Sequence, residues 1–308
     1  MKAMTLRQYG GPEVLQLEDL PVPQPQAGEV RVKVHAVGIN PVDFKRRQNG
    51  PYTDFPVVLG WDVSGVVDAL GEDVTDFELG DGVYGMIRFP DEGRAYAEYV
   101  TAPAAHLARK PASLSHVEAA ATTLAPLTAL QAFEKMNLQA GQTILIHAGS
   151  GGVGHFAVQL ARARGTRVIA TASEKNRDFV KGLGADEVID YRARPFEEQV
   201  SGVDAVFDTV GGDTFTRSFG VVKPGGWVVG IVTRVTDELS AQAQRAGVKA
   251  AWVWVLPSRA QLDELSALVS AGHLKPHVSQ TFALEQVADA HRAQETGRTV
   301  GKIVLTVT

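Results

Sequence analysis

The feature that most constrains this chain is a glycine-rich turn between a strand pattern and a helix pattern. Apolar residues 144–146 lead into the run Gly149-Ser150-Gly151-Gly152-Val153-Gly154. Glycine lacks a Cβ, so the turn can be tight and can bring bare backbone N–H groups close to a ligand. Amides at the start of a helix are suited to binding phosphate groups. The run therefore predicts a diphosphate-binding turn, with a flexible surface loop as the alternative.

Strand and helix patterns alternate from this turn onward. The predicted strands cover residues 143–147, 167–171, 187–189, 203–208 and 226–232. The predicted helices cover residues 154–164, 175–183, 195–200 and 214–219. Strands at helix-length intervals are typical of a parallel sheet with helices on both faces. We therefore expect an α/β fold with a doubly wound parallel sheet of the Rossmann type.

The chain before this region is β-rich. Val30, Val32 and Val34 alternate with charged residues, and proline and glycine recur at short intervals. This pattern is typical of short strands in an antiparallel, barrel-like unit. Residues 302–307 predict a last strand that rejoins this unit. We therefore place a β-rich barrel domain at residues 1–121 and 260–308, and the Rossmann domain at residues 122–259.

Composition excludes several classes of function. The 308 residues carry a net charge of −5 without a run of Lys or Arg, which gives no support for binding to nucleic acid or to an anionic membrane. Cysteine is absent, which excludes disulfides, thiolate catalysis and cysteine metal sites. The first ten residues lack the pattern of a signal or transit peptide. We therefore expect a cytoplasmic protein.

The end of the second predicted strand bears on the choice of dinucleotide. Enzymes that use NAD usually carry an acid here, which binds the ribose 2′-hydroxyl. This chain has Thr171 and Ser173, followed by Glu174 and Lys175. Hydroxyls and a cation suit the 2′-phosphate of NADPH, so we expect NADPH. Glu174 argues against this choice, and Lys175 and Arg177 also fit a solvated helix start.

Several short runs outside the turn together carry a family signature. They are Asn40-Pro41-Val42-Asp43, Leu59-Gly60-Trp61-Asp62-Val63-Ser64-Gly65, Leu127-Thr128-Ala129, Leu183-Gly184-Ala185-Asp186, Val188-Ile189-Asp190-Tyr191 and Gly301-Lys302-Ile303-Val304-Leu305. Over nearly its full length the chain resembles the zinc-independent medium-chain dehydrogenases/reductases of the quinone oxidoreductase (zeta-crystallin-like) branch.

The resemblance implies a fold, a cofactor and a set of contacts. It implies a GroES-like first domain, a Rossmann domain that binds NADPH, and a homodimer. The positions that match cofactor contacts of the family are Asn40, Thr128, Gly149, Ser150, Gly151, Gly152, Val153, Gly154, Thr171, Ser173, Lys175, Tyr191, Val210, Gly230, Ile231, Val232, Val255 and Lys302. The apolar members of this set equally fit a role in the core.

The same resemblance bears on metal and catalysis. Zinc-dependent relatives have a Cys-His pair and a Gly-His-Glu run where this chain has Asn40-Pro41 and Gly60-Trp61-Asp62, so we expect no metal site. Without a Lewis acid, hydride transfer to a conjugated acceptor is easier than oxidation of a simple alcohol. Tyr52 is a candidate proton donor to the resulting enolate, or a packing residue, and Asn40 is a second candidate for holding the carbonyl oxygen.

Three functions remain open at this point. The first is NADPH-dependent reduction of a small-molecule quinone or enone. The second is reduction of the double bond of one specific enoyl or alkenal substrate. The third is a binding or sensor protein that keeps NADPH but has lost turnover, because a fold does not guarantee activity.

Overall fold

The computed structural model describes residues 1–307, and the chain divides into two compact units. The first unit comprises Met1–Leu127, Leu256–Gly272 and the residues from Pro276 onward, and the second comprises Thr128–Val255 and His273–Lys275. The domain limits predicted from the sequence stay a prediction beside this division. Among residues 1–307, no helix has both the length and the apolar character needed to cross a membrane.

Ten strands form the two sheets of the first unit. They are β1 (Lys2–Leu6), β2 (Leu15–Asp19), β3 (Glu29–Ile39), β4 (Val57–Val58), β5 (Asp62–Leu70), β6 (Gly82–Met86), β7 (Tyr99–Pro103), β8 (Leu107–Arg109), β15 (Val278–Ala283) and β16 (Lys302–Thr306). A small sheet has the order β2-β1-β4, and a seven-stranded sheet has the order β15-β16-β3-β5-β6-β8 with β7 also paired to β3. The β-rich character predicted for this part of the chain is thus confirmed.

The C-terminal strand completes the larger sheet of the first unit. Strand β16 pairs antiparallel with β3, with Ile303 opposite Ile39 and Val304 opposite Gly38. This pairing brings the residue before Ile303 close to the start of the first helix, although more than 260 residues of chain separate them. The prediction that the last strand rejoins the β-rich unit is confirmed.

Helices flank the sheets of the first unit. They are α1 (Pro41–Asn49), α2 (His116–Ala121), α8 (Arg259–Ser270) and α9 (Val287–Glu295), and α3 (Leu124–Lys135) contains the boundary between the two units. Helix α1, which the sequence patterns did not predict, has Asn40 as its N-cap and Pro41 at its first position. Proline suits that position because its missing N–H would have no partner there.

A six-stranded sheet forms the centre of the second unit. Its strands are β9 (Thr143–Ile146), β10 (Arg167–Ala172), β11 (Glu187–Asp190), β12 (Val203–Asp208), β13 (Val222–Gly230) and β14 (Lys249–Trp252). Every pairing is parallel, and the order is β11-β10-β9-β12-β13-β14. The order reverses direction between β9 and β12, which is the switch point of a doubly wound sheet. The predicted fold class is confirmed, and β14 is a strand that the sequence patterns did not predict.

The remaining helices connect these strands. They are α4 (Gly154–Ala163), α5 (Arg177–Gly182), α6 (Asp213–Arg217) and α7 (Asp237–Arg245). Helix α4 is amphipathic, and its residues from Gly154 to Ala161 are all buried. Leu145, Val206 and Phe215 belong to one buried apolar cluster of this unit. Helix α4 packs against β9 and β10, and its first turn follows the glycine-rich run.

Candidate cofactor and active site

The carboxyl edge of the parallel sheet collects most of the predicted contacts of the second unit. These residues lie at or after the carboxyl ends of the six strands. They are Gly149–Gly154 after β9, Thr171 and Ser173 at β10, Tyr191 after β11, Val210 after β12, Gly230, Ile231 and Val232 at β13, and Val255 after β14. In open parallel sheets, ligands bind outside the carboxyl ends of the strands, at the switch point. Two predicted contacts of this unit remain: Lys175 lies in the short segment after β10, and Thr128 is buried in α3.

The glycine-rich turn is held tightly against its neighbours. A Cβ on Gly149 would lie 2.9 Å from Ala170 Cβ, and one on Gly154 would overlap the carbonyl oxygen of Ala148. Ala148 has a φ of 51°, a left-handed conformation that costs energy for a residue with a side chain. Thr171 supports the turn, since its hydroxyl and its carbonyl accept hydrogen bonds from the amides of Ala148 (3.0 Å) and Gly149 (2.9 Å).

Four backbone N–H groups of the turn have no acceptor among residues 1–307. They belong to Ser150, Gly152, Val153 and Gly154, whereas the amides of Gly149 and Gly151 are paired within the protein. Residues 150–153 are partly accessible. Four unpaired amides at the start of α4 can all donate to one anion, and the helix dipole adds attraction. The arrangement can therefore hold a phosphate or diphosphate group.

The next two strand ends lie side by side. Ala172 of β10 pairs with Asp190 of β11, so Ser173 and Tyr191 leave the sheet as neighbours. Ser173 is buried, whereas Tyr191 is 49% exposed. The guanidinium of Arg192 lies 5.6 Å from the centre of the Tyr191 ring. Sequence reasoning missed Arg192, and the signal that would have found it is its position directly after Tyr191.

The two cations that follow β10, Lys175 and Arg177, differ in their contacts. Arg177 binds Glu174 through Nε (2.9 and 2.8 Å) and through a terminal nitrogen (2.7 Å), and it also donates to the carbonyl of Val188 (2.7 Å). Arg177 therefore neutralises the acid that argued against NADPH. Lys175 is exposed and makes no ion pair or hydrogen bond with any residue of 1–307. Lys175 is thus a cation that is available to a ligand at this edge, as is the exposed Arg192 after β11.

The loops after β12 and β13 present apolar side chains. Val210 is 49% exposed and Val232 is 45% exposed, so neither belongs to the core. Asp208, buried at the end of β12, holds its loop by accepting hydrogen bonds from the amides of Val210 (2.9 Å) and Gly211 (3.0 Å). Burial raises the pKa of Asp208. A flat apolar group could therefore lie against this part of the edge.

Gly230 and Val255 have packing roles. A Cβ on Gly230 would lie 2.9 Å from the ring of Phe215, and Val255 is buried. Ile231 is partly buried, and its carbonyl accepts a hydrogen bond from Trp252 Nε1 (3.2 Å). Nothing in these contacts shows a cofactor contact, so the role predicted for the three residues stays a prediction.

In the first unit, Asn40, Asp62 and Lys302 form a buried polar cluster, which we call the Lys302 cluster. Asn40 and Lys302 are predicted contact residues, and Asp62 lies beside them. Asn40 Nδ2 donates to Asp62 Oδ2 (2.8 Å), and Lys302 Nζ donates to Asn40 Oδ1 and to the carbonyl of Ile39 (2.9 Å). Lys302 Nζ also lies 3.5 Å from Asp62 Oδ2. All three side chains are almost completely buried. The three N–H directions of the ammonium are thus all used, and the predicted contact of Lys302 with a cofactor stays a prediction.

Burial dominates the ionisation of this cluster. It raises the pKa of Asp62 and lowers the pKa of Lys302, and the attraction between the two groups opposes both shifts. Asp43, on the first turn of α1, accepts a hydrogen bond from the amide of Asn40 (2.6 Å). Burial raises the pKa of Asp43 to about 7. The N-terminus of α1 therefore rests on a set of buried charges.

Tyr52, the predicted proton donor, has a buried hydroxyl without a hydrogen-bond partner among residues 1–307. Its backbone N–H and carbonyl both bond to the hydroxyl of Tyr9, at 2.5 and 2.7 Å. Burial raises the pKa of Tyr52 to about 12, so the hydroxyl keeps its proton at neutral pH. A fixed, protonated and unpaired hydroxyl is a competent hydrogen-bond donor to a ligand oxygen.

His147, which directly follows β9, is a structural residue. Its ring nitrogens lie 3.0 Å from Ser218 Oγ and 3.3 Å from Thr171 Oγ1, and its carbonyl accepts a hydrogen bond from Thr209 (2.8 Å). Burial lowers the pKa of His147 to about 3, so the ring is neutral at physiological pH. Its role is to fix the strand ends on the two sides of the switch point.

Comparisons with known proteins agree with this architecture. A family described as "Alcohol dehydrogenase GroES-like domain" matches residues 26–112, and one described as "Zinc-binding dehydrogenase" matches residues 183–305. The 2-methylene-furan-3-one reductase of Solanum lycopersicum is 36% identical over 99% of this chain and 79% of its own length.

Two solved structures are similar over the full chain. The quinone oxidoreductase from Coxiella burnetii has a TM-score of 0.95 at 39% identity, covering 100% of this chain and 99% of its own. The Escherichia coli quinone oxidoreductase complexed with NADPH has a TM-score of 0.90 at 29% identity, covering 99% of this chain and 100% of its own.

The residues at the former zinc positions do not fit a zinc ion. Asn40 and Asp62 bind each other and the ammonium of Lys302, so a cation of the chain already occupies their free oxygens. Trp61 is fully buried, and its Nε1 donates to the carbonyl of Asp91 (2.6 Å). Among residues 1–307, no group of three or more His, Cys, Asp or Glu could hold a metal.

The Lys302 cluster leads to a prediction about stability. Lys302→Met leaves the carboxylate of Asp62 buried and unpaired, which we expect to cost about 3–5 kcal/mol of unfolding free energy. Lys302→Met combined with Asp62→Asn should cost less than Lys302→Met alone, because no charge is then stranded. Urea unfolding measures both. The control is Lys223→Met, whose exposed pair with Asp204 (2.9 Å) should contribute about 1 kcal/mol or less. Equal losses for Lys302→Met and Lys223→Met would contradict the argument.

Proposed function

The chain belongs to the medium-chain dehydrogenase/reductase family, in its quinone oxidoreductase branch, and on that premise we propose that it is a zinc-independent, NADPH-dependent oxidoreductase. Its substrates are small quinones or α,β-unsaturated carbonyl compounds. The observation that carries the proposal is the set of four unpaired amides in residues 150–154, at the switch point of a parallel sheet. Unpaired amides at the start of a helix can donate hydrogen bonds to the diphosphate of a dinucleotide.

The charges beside β10 support NADPH over NADH. Lys175 is exposed and makes no ion pair with residues 1–307, while Arg177 binds Glu174, so the ammonium of Lys175 is free to bind a 2′-phosphate. Ser173, Tyr191 and Arg192 lie on the same edge and can add hydrogen bonds to a 2′-phosphate. Glu174, the acid that directly follows Ser173, is bound by Arg177 and is therefore not free to bind the 2′-hydroxyl of NAD. The Escherichia coli relative was also solved with NADPH.

A single substitution tests the choice of dinucleotide. Lys175→Ala should raise the KM for NADPH about tenfold or more, because it removes a charge-assisted hydrogen bond, and should leave the KM for NADH unchanged. Steady-state oxidation of each dinucleotide measures both constants. Lys223→Ala, which removes a lysine paired with Asp204, is the matched control. An equal effect on NADPH and NADH would remove Lys175 from the phosphate site.

The proposed reaction needs a hydride and a proton. NADPH, when bound, supplies a hydride to the β-carbon of the enone or to the quinone ring. Negative charge would then develop on the substrate oxygen. A donor can stabilise or protonate this oxygen, and in reduction of an enone the proton is finally bound at the α-carbon. Tyr52 has a hydroxyl that is protonated, buried and unpaired, so it can donate to that oxygen without first breaking another hydrogen bond. The amide of Asn40 is already bound to Asp62 and Lys302, which makes Asn40 the weaker candidate.

Substitution of the tyrosine tests this assignment. Tyr52→Phe should lower kcat for an enone by about 100-fold, the usual size of a general-acid contribution, while NADPH affinity stays the same. Stopped-flow absorbance and a binding titration measure the two quantities. Tyr99→Phe is the control, because the Tyr99 ring contacts Arg31 and the substitution keeps that ring. Unchanged turnover in Tyr52→Phe would exclude a role in proton transfer.

Reduction of an activated carbon–carbon double bond is the second candidate, and the tomato relative favours it, since that protein is named a 2-methylene-furan-3-one reductase. A panel of quinones, alkenals and cyclic enones with NADPH separates the two substrate classes. Tight NADPH binding without oxidation by any member of the panel would instead support the sensor function. The cytoplasmic location expected from the sequence stays a proposal.

We also propose that the protein is a homodimer, formed by strand β14 of two copies. Strand β14 is an edge strand, paired only with β13, and an unpaired edge is a template for another chain. Trp252 and Trp254 stack beside it with ring centres 5.1 Å apart, and Trp254 is 36% exposed. Two copies related by a twofold axis would pair the same edge with itself.

Sedimentation tests the dimer. The wild-type protein should sediment at about twice its chain mass of 32.9 kDa, and Trp254→Glu should shift the equilibrium to monomer, because it places a charge in the apolar contact. Leu79→Glu, at a side chain that is 66% exposed in the first unit, should remain dimeric. A monomeric wild-type protein at micromolar concentration would contradict the proposal.

A further inference from the structure

Two helices of the first unit bring a chain of polar side chains together. Asp43 and Arg47 lie four residues apart on α1, and His291 and Glu295 lie four residues apart on α9, so each pair shares one face of its helix. Tyr96 comes from the segment before β7. Asp43, Arg47, Tyr96 and His291 are all fully buried. We call these five residues the α1–α9 relay.

The guanidinium of Arg47 is held on all of its sides. It donates to Glu295 Oε1 (2.6 Å) and to the carbonyl of Gly10 (3.0 Å), and its third contact, at 3.3 Å, is to His291 Nδ1. A guanidinium can only donate hydrogen bonds, so Nδ1 of His291 must be the acceptor. Burial and the charge of Arg47 lower the pKa of His291 to about 3, which keeps the ring neutral. The single ring proton of His291 is therefore on Nε2.

The direction of the next hydrogen bond follows. His291 Nε2 lies 3.0 Å from the hydroxyl oxygen of Tyr96, and since Nε2 carries the proton, this oxygen accepts. The hydroxyl hydrogen of Tyr96 is then free to be donated elsewhere. Asp43 Oδ1 is a buried oxygen without a hydrogen-bond partner of ordinary geometry among residues 1–307. Asp43 and Tyr96 lie close enough that each affects the pKa of the other.

We propose that Tyr96 is a positioning residue for the active site, whose hydroxyl donates to Asp43 Oδ1 in a direction that Arg47 and His291 impose. Asp43 then uses both oxygens, since Oδ2 accepts the amide of Asn40 (2.6 Å). The relay thereby fixes the start of α1 and the backbone of Asn40, the residue that binds Asp62 and Lys302. The relay acts on the proposed reaction through Asn40, so this role rests on the proposed function.

The direction of the relay also favours the ionised form of Asp43. A protonated Asp43 would need an acceptor for its O–H, and the hydroxyl of Tyr96 could accept only by turning its hydrogen toward His291 Nε2, which already carries one. Other groups that face Asp43 act in both directions. Burial and the charge of Asp62 raise the pKa of Asp43, while the amide of Asn40, the hydroxyl of Tyr96 and the charge of Lys302 lower it.

A titration of the ligand-free protein tests the relay without any assay of activity. In Tyr96→Phe, the Asp43 carboxyl should ionise about one to two pH units higher than in wild type, because a hydrogen bond to its charged form is lost. Carboxyl carbon chemical shifts followed against pH measure this. Tyr84→Phe is the matched control, since Tyr84 is equally buried but bonds to Leu262 (2.7 Å) and Ser266 (2.8 Å). An Asp43 titration that is the same in folded Tyr96→Phe and wild type would overturn the proposal.

A measurement on the wild-type protein tests the direction independently of any variant. In nitrogen-15 spectra of labelled histidine, the assigned ring of His291 should carry its proton on Nε2 and should not titrate down to about pH 4; His147 should also stay neutral over this range, so assignment of the two rings comes first. A proton on Nδ1 of the His291 ring would reverse the relay and overturn the proposal.

The pH profile then connects the relay to the reaction. The acidic limb of kcat/KM for NADPH-dependent turnover should move to higher pH in Tyr96→Phe by the same amount as the Asp43 titration, and should not move in Tyr84→Phe. A shifted titration with an unshifted acidic limb would overturn the positioning role. Absence of turnover in the wild-type protein would refute the proposed function instead, and the titration would still decide on the hydrogen bond.

Discussion

The ammonium of Lys302 contacts three elements of the first unit that are distant in sequence from its own strand. It is on β16, and its hydrogen bonds reach the end of β3 and the N-cap of α1, while its partner Asp62 begins β5. Taking an ammonium and a carboxylate out of water is costly, and their attraction offsets this cost only when the geometry is good and the other polar atoms are paired. Here Asp62 also accepts the amide of Leu124 (3.1 Å), so the pair demands one relative placement of these elements.

The two units differ in how completely their polar groups are hydrogen-bonded within the protein. In the Lys302 cluster every donor direction of the ammonium is used inside the protein. In the glycine-rich turn, four neighbouring amides of residues 150–154 have no acceptor, although Thr171 and Ala148 pair the amides next to them. Unpaired groups in an otherwise well-paired structure indicate a ligand site, because the ligand supplies the missing acceptors.

Patterns that are local in sequence were predictable, and interactions between distant residues were not. Five of the six strands of the second unit, all except β14, follow from apolar runs, and the turn at Gly149–Gly154 follows from its glycines. Helix α1 was missed because its buried residues are Asp43 and Arg47, which a hydrophobic pattern does not count as core. Lys302 and Asp62 lie more than 190 positions apart in the sequence. In the α1–α9 relay, His291 likewise lies more than 190 positions from both Arg47 and Tyr96. No periodicity reports a contact of that kind.

Residue identity at the end of β10 is a poor guide to the dinucleotide without the charges around it. Glu174 stands where an acid is associated with NAD, but it is bound by Arg177, which itself is anchored to the carbonyl of Val188. A surface pair of this kind contributes little to folding, yet it cancels the field that would repel a phosphate. The exposed Lys175, which makes no ion pair with residues 1–307, can then bind a phosphate. The sequence contains Glu174, Lys175 and Arg177, but it does not show which cation binds Glu174. Arg177 does so because β11 places the carbonyl of Val188 where it anchors the guanidinium.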